Sequence, residues 1–245
     1  MNPLQSELHR LYLPSAVPHP QSGIPSTALV DAQDRVRSLV LELAGPPDWK
    51  VLSRVWRGVQ TELDLPAPAI AVSGVDGLQL WFSLAEPIPV PQAHAFLESL
   101  RSRFLADIAA KRIRLMPAAD ASAQRQELHA HPVPALQEQS GNWSAFVAPD
   151  LAPVFADTPW LDIPPGEEGQ AALLGKLKVM TPPAFDAAWE QLGADTQQVQ
   201  HAQPSPRTGP VAGPAGGDPK AFLLRIMNDD TVALALRIEA AKALL

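Results

Sequence analysis

The chain has 245 residues, 46% of them hydrophobic and 18% charged, with 27 prolines, a formal charge of −7 and no cysteine. This composition is typical of a globular protein with long irregular connections, and the lack of cysteine excludes disulfides, thiolate catalysis and cysteine-ligated zinc. The acidic balance excludes a surface that holds nucleic acid over its whole extent, so any such contact must be local. With neither a leader pattern nor an apolar run of about 18 residues, the sequence predicts a cytoplasmic protein without a membrane segment.

The first predicted elements are a strand and a helix that follow an irregular N-terminal segment. Residues 1–34 are rich in proline and weakly patterned, with one short helix expected around Leu4–Leu13. From Val36 to Ala44 the chain reads VRSLVLELA, which predicts a buried strand that ends at a Gly-Pro-Pro breaker. Asp48 can then cap a helix whose apolar residues recur at helical spacing.

Two further strands, a second helix and a fourth strand come next. Residues 69–73 (AIAVS) and 78–84 (LQLWFSL) read as strands around a glycine turn. Residues 93–104 carry the apolar stripe of a helix, and residues 112–117 (RIRLMP) read as a strand behind it. The β-α-β-β-α-β order predicts an α+β fold, in which a split βαβ sheet carries its helices on one face.

The remaining sequence predicts the end of this domain, a linker and a helical tail. One more strand is expected within NWSAFVAPDLAPVF, and two helices, 169–179 and 183–192, close a domain that spans residues 35–192. Residues 193–217 have almost no large apolar side chain and read as a flexible linker. Residues 218–245 predict two short helices that are too small to be stable alone, so we expect them to dock on a protein partner.

Glu42 is the first candidate for chemistry because it is a carboxylate inside an otherwise apolar strand. A buried carboxylate without a partner costs several kcal/mol. We therefore expect Glu42 to face solvent at the edge of the strand, to pair with a cation, or to bind a metal ion.

The order of these motifs resembles a known family. The succession of VLELA, an amphipathic helix, SGVDGLQLWFSL, a second helix and RIRLMP resembles the core of the archaeo-eukaryotic primase-polymerase superfamily, particularly its bacterial ligase-associated polymerase domains. In that family the first strand ends in two aspartates, separated by one residue, that hold two divalent metal ions. A Ser-Gly-x-x-Gly-x-His motif brings a histidine to the triphosphate of the incoming nucleotide, and a third acidic residue completes the metal site from a later strand.

Carried over position by position, the resemblance implies a defective version of that site. The two aspartate positions fall on Glu42 and Ala44, and Ala44 offers no oxygen ligand for the implied Mg²⁺ or Mn²⁺. Asp150 is the candidate for the third acidic ligand, with Asp157 as the alternative, although both positions also suit simple turns. The nucleotide-binding motif falls on Ser73, Gly74, Gly77 and Gln79. Glutamine can still donate a hydrogen bond to phosphate, but it lacks the positive charge that a histidine can carry.

A cluster of basic residues is the best local candidate for a nucleic-acid contact. The alternative interpretation is a solvated helix end and strand edge. His129 and His131 lie two residues apart, which would suit a shared metal site on a strand, but the composition of the surrounding loop favours solvated side chains. The predicted nucleic-acid-binding residues are Arg101, Arg103, Lys111, Arg112 and Arg114.

The tail carries a second resemblance. Its sequence, DPKAFLLRIMNDDTVALALRIEAAKALL, is similar to a segment of phage terminase small subunit-like proteins, with matches that include Asp218, Pro219, Met227, Arg237 and Lys242. The two resemblances together favour an accessory protein of DNA replication, a phage or a mobile element, with an inactive nucleotidyltransferase-like domain and DNA or a nucleotide as its ligand. The alternative is a purely structural protein-interaction module, and the third interpretation is an active metal-dependent primase or polymerase.

Overall fold

An antiparallel sheet of five strands organises the described part of the chain. This computed structural model describes residues 2–13, 29–118 and 129–202, with side chains as far as residue 193. The strands are β1 (Arg35–Ala44), β2 (Ala69–Val72), β3 (Gly77–Pro89), β4 (Ile113–Met116) and β5 (Ala145–Val147). The helices are α1 (Pro3–Leu11), α2 (Trp49–Thr61), α3 (Val90–Phe104), α4 (Glu167–Leu174) and α5 (Pro182–Ala202).

The combination of helices with an antiparallel sheet confirms the predicted α+β class. From β1 to β4 the elements follow one another as strand, helix, strand, strand, helix, strand. The strand order in the sheet is β4-β1-β3-β2-β5, so β1 and β3 are central and β5 extends the sheet beside β2. Within the described residues, no helix is both long and apolar enough to span a lipid bilayer.

Helix α2 begins where the sequence places its cap. The Asp48 carboxylate accepts hydrogen bonds from the amides of Lys50 (2.8 Å) and Val51 (3.4 Å). Gly58 allows α3 to approach closely, because a Cβ at this position would lie 2.3 Å from the Phe104 ring. Helices α2 and α3 thereby cover one face of the sheet, and the α2 residues that are fully buried against it are Leu52, Val55 and Val59.

Helices cover the second face of the sheet as well, so the prediction that they lie on one face only is wrong. Val40 and Trp81 point to this face, and burying them requires a second layer. Helices α1 and α4 provide it, with Tyr12 packed at 5.2 Å from the Trp81 ring and 5.9 Å from the Phe146 ring. The guanidinium of Arg37 on β1 donates to carbonyls at the end of α1. The helix expected around Leu4–Leu13 is α1, and it packs on the sheet, whereas the sequence-based prediction placed residues 1–34 outside the domain.

Helix α5 differs from its predicted extent. It runs from Pro182 to Ala202, so the predicted boundary at residue 193 falls inside the helix. The residues after 193 are rich in alanine and glutamine, which are good helix formers, although they lack the large apolar side chains that would indicate burial. The rest of the predicted linker and the predicted helical tail, residues 218–245, lie outside the described residues.

Candidate functional site

Three polar side chains lie in a row across the second face of the sheet. In the strand pairing, Glu42 on β1 is opposite Gln79 on β3 and opposite Arg114 on β4. Residues that are directly opposite each other in an antiparallel sheet project from the same face. The family resemblance implied that Glu42 and Gln79 belong to one site, and the strand register brings them together.

A continuous hydrogen-bond network joins these side chains to two neighbours. Gln79 Nε2 donates to Glu42 Oε2 at 2.8 Å, and Gln79 Oε1 accepts from Trp81 Nε1 at 2.8 Å. Arg114 Nη1 donates to Glu42 Oε1 at 2.5 Å, and its two terminal nitrogens donate to the two Asp76 oxygens at 3.0 and 3.1 Å. We call these five residues, Glu42, Asp76, Gln79, Trp81 and Arg114, the Glu42 cluster.

Burial and charge act in opposite directions on the Glu42 carboxyl. Glu42 is only 4% exposed, and this burial raises the pKa of its carboxyl above the ordinary value. The hydrogen bond from Gln79 and the charge of Arg114 lower the same pKa and offset part of the rise. Arg114 has a side chain that is 52% exposed, so it links the buried carboxylate to the surface. The sequence offered three possibilities for Glu42, and the structure selects pairing with a cation.

Gly77 is required by the packing of Glu42. A Cβ at position 77 would lie 2.5 Å from Glu42 Oε1 and 2.8 Å from Glu42 Cγ, which is closer than real atoms approach. Gly77 is the first residue of β3 and lies opposite Ala44, beside the carboxylate. The buried carboxylate therefore accounts for the glycine without a bound phosphate.

The hairpin before β3 is held by a serine that accepts several backbone hydrogen bonds. Ser73 Oγ accepts from the amides of Val75 (3.1 Å), Asp76 (3.2 Å) and Gly77 (2.9 Å). The amide of Gly74 donates to the carbonyl of Pro159 at 3.0 Å. The structure thus brings the four predicted nucleotide-binding residues together, and it gives the amides of this turn partners within the protein.

The Glu42 cluster does not fit a two-metal centre. Glu42 and Asp76 both direct their oxygens at Arg114, which supplies the positive charge that metal ions would bring. Asp150 follows β5, which is three strand spacings from β1, or about 14 Å. Asp157 is an exposed residue at the end of a short turn. In the described ranges, no group of three or more His, Asp or Glu side chains is arranged to hold a metal ion.

Asp150 instead lies at a cleft beside the β2–β5 edge of the sheet. This cleft has a volume of about 350 Å³ and is lined mainly by apolar side chains, among them Trp56, Phe146 and Leu173. The structure therefore separates Asp150 from Glu42, its predicted partner in metal binding.

The five predicted nucleic-acid-binding cations divide into two groups. Three of them are paired with carboxylates: Arg101 with Glu98, Arg103 with Glu62, and Arg114 with Glu42 and Asp76. Arg112 donates to backbone carbonyls, and Lys111 is exposed. Only the second group keeps a positive charge that no acidic side chain of the described residues offsets.

His129 is a buried polar residue on the same face of the sheet, so the prediction that it is solvated is wrong. Its Nδ1 accepts from the Ala130 amide at 2.8 Å, so Nε2 carries the proton and donates to the Ser38 carbonyl at 2.9 Å. Burial lowers the pKa of His129 from its ordinary 6.5 to about 4. His131 is exposed, so the two histidines do not form a shared site.

We expect the stability of the domain to fall as the pH decreases from 6.5 to about 4, where His129 is neutral in the folded state and protonated in the unfolded state. The lost stabilisation is about 3 kcal/mol. Glu42, with its raised pKa, gives the opposite trend, so the test is the difference between variants. In urea denaturation, His129→Gln should lose less stability over this range than the wild type, whereas the exposed control His131→Gln should follow the wild type. If the free energy of unfolding fell equally with pH in all three proteins, the interpretation of His129 as a buried neutral histidine would be contradicted.

Comparison with protein-family models finds no match to this chain. Comparison with curated proteins likewise finds no similar sequence.

Proposed function

We propose that the chain is an accessory protein of DNA replication or of a phage or mobile element. The domain formed by β1–β5 and the surrounding helices is then a catalytically inactive, primase-polymerase-like nucleotidyltransferase domain. The observation that carries this proposal is the guanidinium of Arg114, which bonds both Glu42 and Asp76. In the family that the sequence resembles, this strand end holds divalent metal ions. In this chain an arginine takes over the neutralisation of the carboxylates.

Two further features support the proposal. Glu42 and Gln79 are cross-strand neighbours at 2.8 Å, which is the adjacency that the resemblance implies for the acidic motif and the nucleotide motif. The sequence of residues 218–245 resembles that of phage terminase small subunit-like proteins, which favours a role beside other DNA-processing proteins. The ligand is DNA or a nucleotide, and the protein partner binds residues 218–245, which the sequence predicts to be helical.

A primer-extension assay with the full chain tests the inactivity. With Mg²⁺ or Mn²⁺, nucleotides, template and primer, we expect no incorporation above that of the Glu42→Gln variant, because Glu42 is engaged by Arg114 and Gln79. Metal-dependent extension by the wild type that is abolished in Glu42→Gln would overturn the proposal and favour an active polymerase. Binding assays complete the test, since a chain that bound neither DNA nor nucleotide would not fit an accessory role.

A further inference from the structure

Helix α2 presents a row of cations on its exposed side. Lys50, Arg54 and Arg57 occupy positions i, i+4 and i+7, which lie on the same side of an α-helix, and all three are exposed. The opposite side of α2 packs against the sheet, so the position of the row is fixed by the core. Lys50 and Arg57 are seven residues apart, or about 10 Å along the helix axis.

Two contacts bring a second basic segment next to this row. Arg54 donates to both carboxylate oxygens of Asp107 at 3.0 to 3.2 Å, which holds the loop after α3 against α2. Arg112 donates to the carbonyls of Ala44 (3.4 Å) and Pro46 (2.5 Å), in the turn that leads into α2. The segment with Lys111 and Arg112 therefore borders the cation row. We call Lys50, Arg54, Arg57, Lys111 and Arg112 the α2 basic face.

Acidic side chains neutralise little of this face. Asp107 pairs with Arg54, and Asp48 accepts from amides at the start of α2. Arg57 donates to the Ser53 hydroxyl at 2.9 Å, a neutral partner that leaves its charge intact. Among the described residues, Lys50 and Lys111 have no carboxylate partner. Five cations thus face two carboxylates, on a chain whose formal charge is −7.

We propose that the α2 basic face binds the phosphodiester backbone of a nucleic acid. The inference rests on the proposed function and identifies the surface that would contact the nucleic acid. The row from Lys50 to Arg57 spans about three phosphates of one strand at roughly 3.4 Å per phosphate. Guanidinium groups match phosphate oxygens in geometry as well as charge. The acidic remainder of the chain repels a polyanion, which confines the contact to this face.

The composition of the face favours nucleic acid over an acidic protein. Protein–protein interfaces depend on buried aromatic or aliphatic anchors surrounded by a polar rim. The exposed side of α2 consists of Lys50, Arg54, Arg57 and Thr61, and it carries no apolar anchor. Contacts with a phosphate backbone need charge and hydrogen-bond donors, and these are what the face supplies.

Fluorescence anisotropy with labelled single-stranded DNA, duplex DNA and single-stranded RNA, at several salt concentrations, tests this inference on the full chain. The variant Lys50→Ala/Arg57→Ala should bind about tenfold more weakly, and the slope of log affinity against log salt should become less steep by about 1.5, because two phosphate contacts are lost. The three oligonucleotides identify the preferred nucleic acid. The matched control is Lys176→Ala/Lys178→Ala, which removes two exposed lysines after α4 and should bind within about twofold of the wild type.

The outcomes separate this inference from the proposed function. Nucleic-acid binding that is equally strong in the wild type and in Lys50→Ala/Arg57→Ala would overturn the inference and leave the proposed function standing. An equal loss in the lysine control would also overturn it, since the contact would then be a general charge effect. Polyglutamate that competed as well as DNA would point to an acidic protein instead. A wild-type chain that bound no nucleic acid would overturn the inference, and one that bound no nucleotide either would also remove the proposed function. Circular dichroism of each variant confirms that the fold is retained.

Discussion

Replacement of Arg114 by alanine is expected to destabilise the domain by about 2–3 kcal/mol at alkaline pH, because it leaves the buried Glu42 carboxylate without a countercharge. Removal of one partner of a buried ion pair costs more than the pair contributes, since the remaining charge is still desolvated. The expected loss of stability is smaller than for a fully buried pair because the Arg114 side chain is 52% exposed to solvent. Urea denaturation of the wild type and the variant measures the difference.

The cost of Arg114→Ala should depend on pH in a defined direction. The pKa of Glu42 is already raised by burial, and without Arg114 it rises further. An acid whose pKa is raised in the folded state takes up a proton there more readily than in the unfolded state. Its destabilising effect on the fold is therefore largest above the folded-state pKa. Below the ordinary pKa of glutamate the carboxyl is neutral in both states, and the difference between wild type and variant should become small.

A surface ion pair provides the control for Arg114→Ala. Arg101 pairs with Glu98 on the exposed side of α3, where the Glu98 side chain is 44% exposed. Such pairs contribute about 0–1 kcal/mol, so Arg101→Ala should have a small effect at every pH. An Arg114→Ala variant that behaved like Arg101→Ala would contradict the assignment of Arg114 as the countercharge of the buried carboxylate.

Replacement of Gly74 by alanine is the second change with a large expected effect, about 3 kcal/mol or more. Gly74 has a φ of +80°, which L residues adopt only with strain. In addition, a Cβ there would lie 2.8 Å from the Ser144 amide nitrogen and 2.6 Å from Gln137 Cγ. The backbone at Ser144 cannot move without disturbing its hydrogen bond to Ala135 at 2.9 Å. The two costs therefore add, and urea denaturation should report their sum.

Gly141 is a matched control because it isolates the cost of the backbone conformation. Its φ is +72°, but a Cβ there would meet nothing within 4 Å. We expect Gly141→Ala to cost about 1 kcal/mol. If both alanine variants lost the same stability, the contact between the hairpin and the segment around Ser144 would not have the importance that the structure gives it.

Much of the fold follows from local patterns in the sequence. Apolar periodicity and breakers identified β1, and Asp48 was recognisable as a cap because its side chain bonds amides only two and three residues away. The order of the elements then predicted the α+β class, and the resemblance to the primase-polymerase superfamily implied the proximity of Glu42 and Gln79. These features depend on short stretches of chain or on the succession of elements.

The partner of Glu42 could not be read in the same way. Arg114 lies 72 residues further along the chain, and its contact depends on the register between β1 and β4. A shift of that register by one residue would turn Arg114 to the other face of the sheet, and no short-range pattern fixes it. For the same reason Arg114 was grouped with other cations as a nucleic-acid contact. Its two carboxylate partners are Glu42 in β1 and Asp76 in the turn before β3, and only the folded structure brings them together.

The most direct test of the account is the carboxyl carbon-13 resonance of Glu42, followed by NMR during a pH titration with and without divalent metal ions. Burial raises the pKa of the Glu42 carboxyl above its ordinary value of 4.5, so Glu42 should titrate above that value. If Arg114 and Gln79 occupy both oxygens of this carboxylate, millimolar Mg²⁺ leaves the titration unchanged. Mn²⁺ should likewise leave the Glu42 and Gln79 side-chain resonances sharp. A Glu42 resonance that shifted with Mg²⁺ and was broadened reversibly by Mn²⁺ would contradict the account, because the carboxylate would then be a metal ligand.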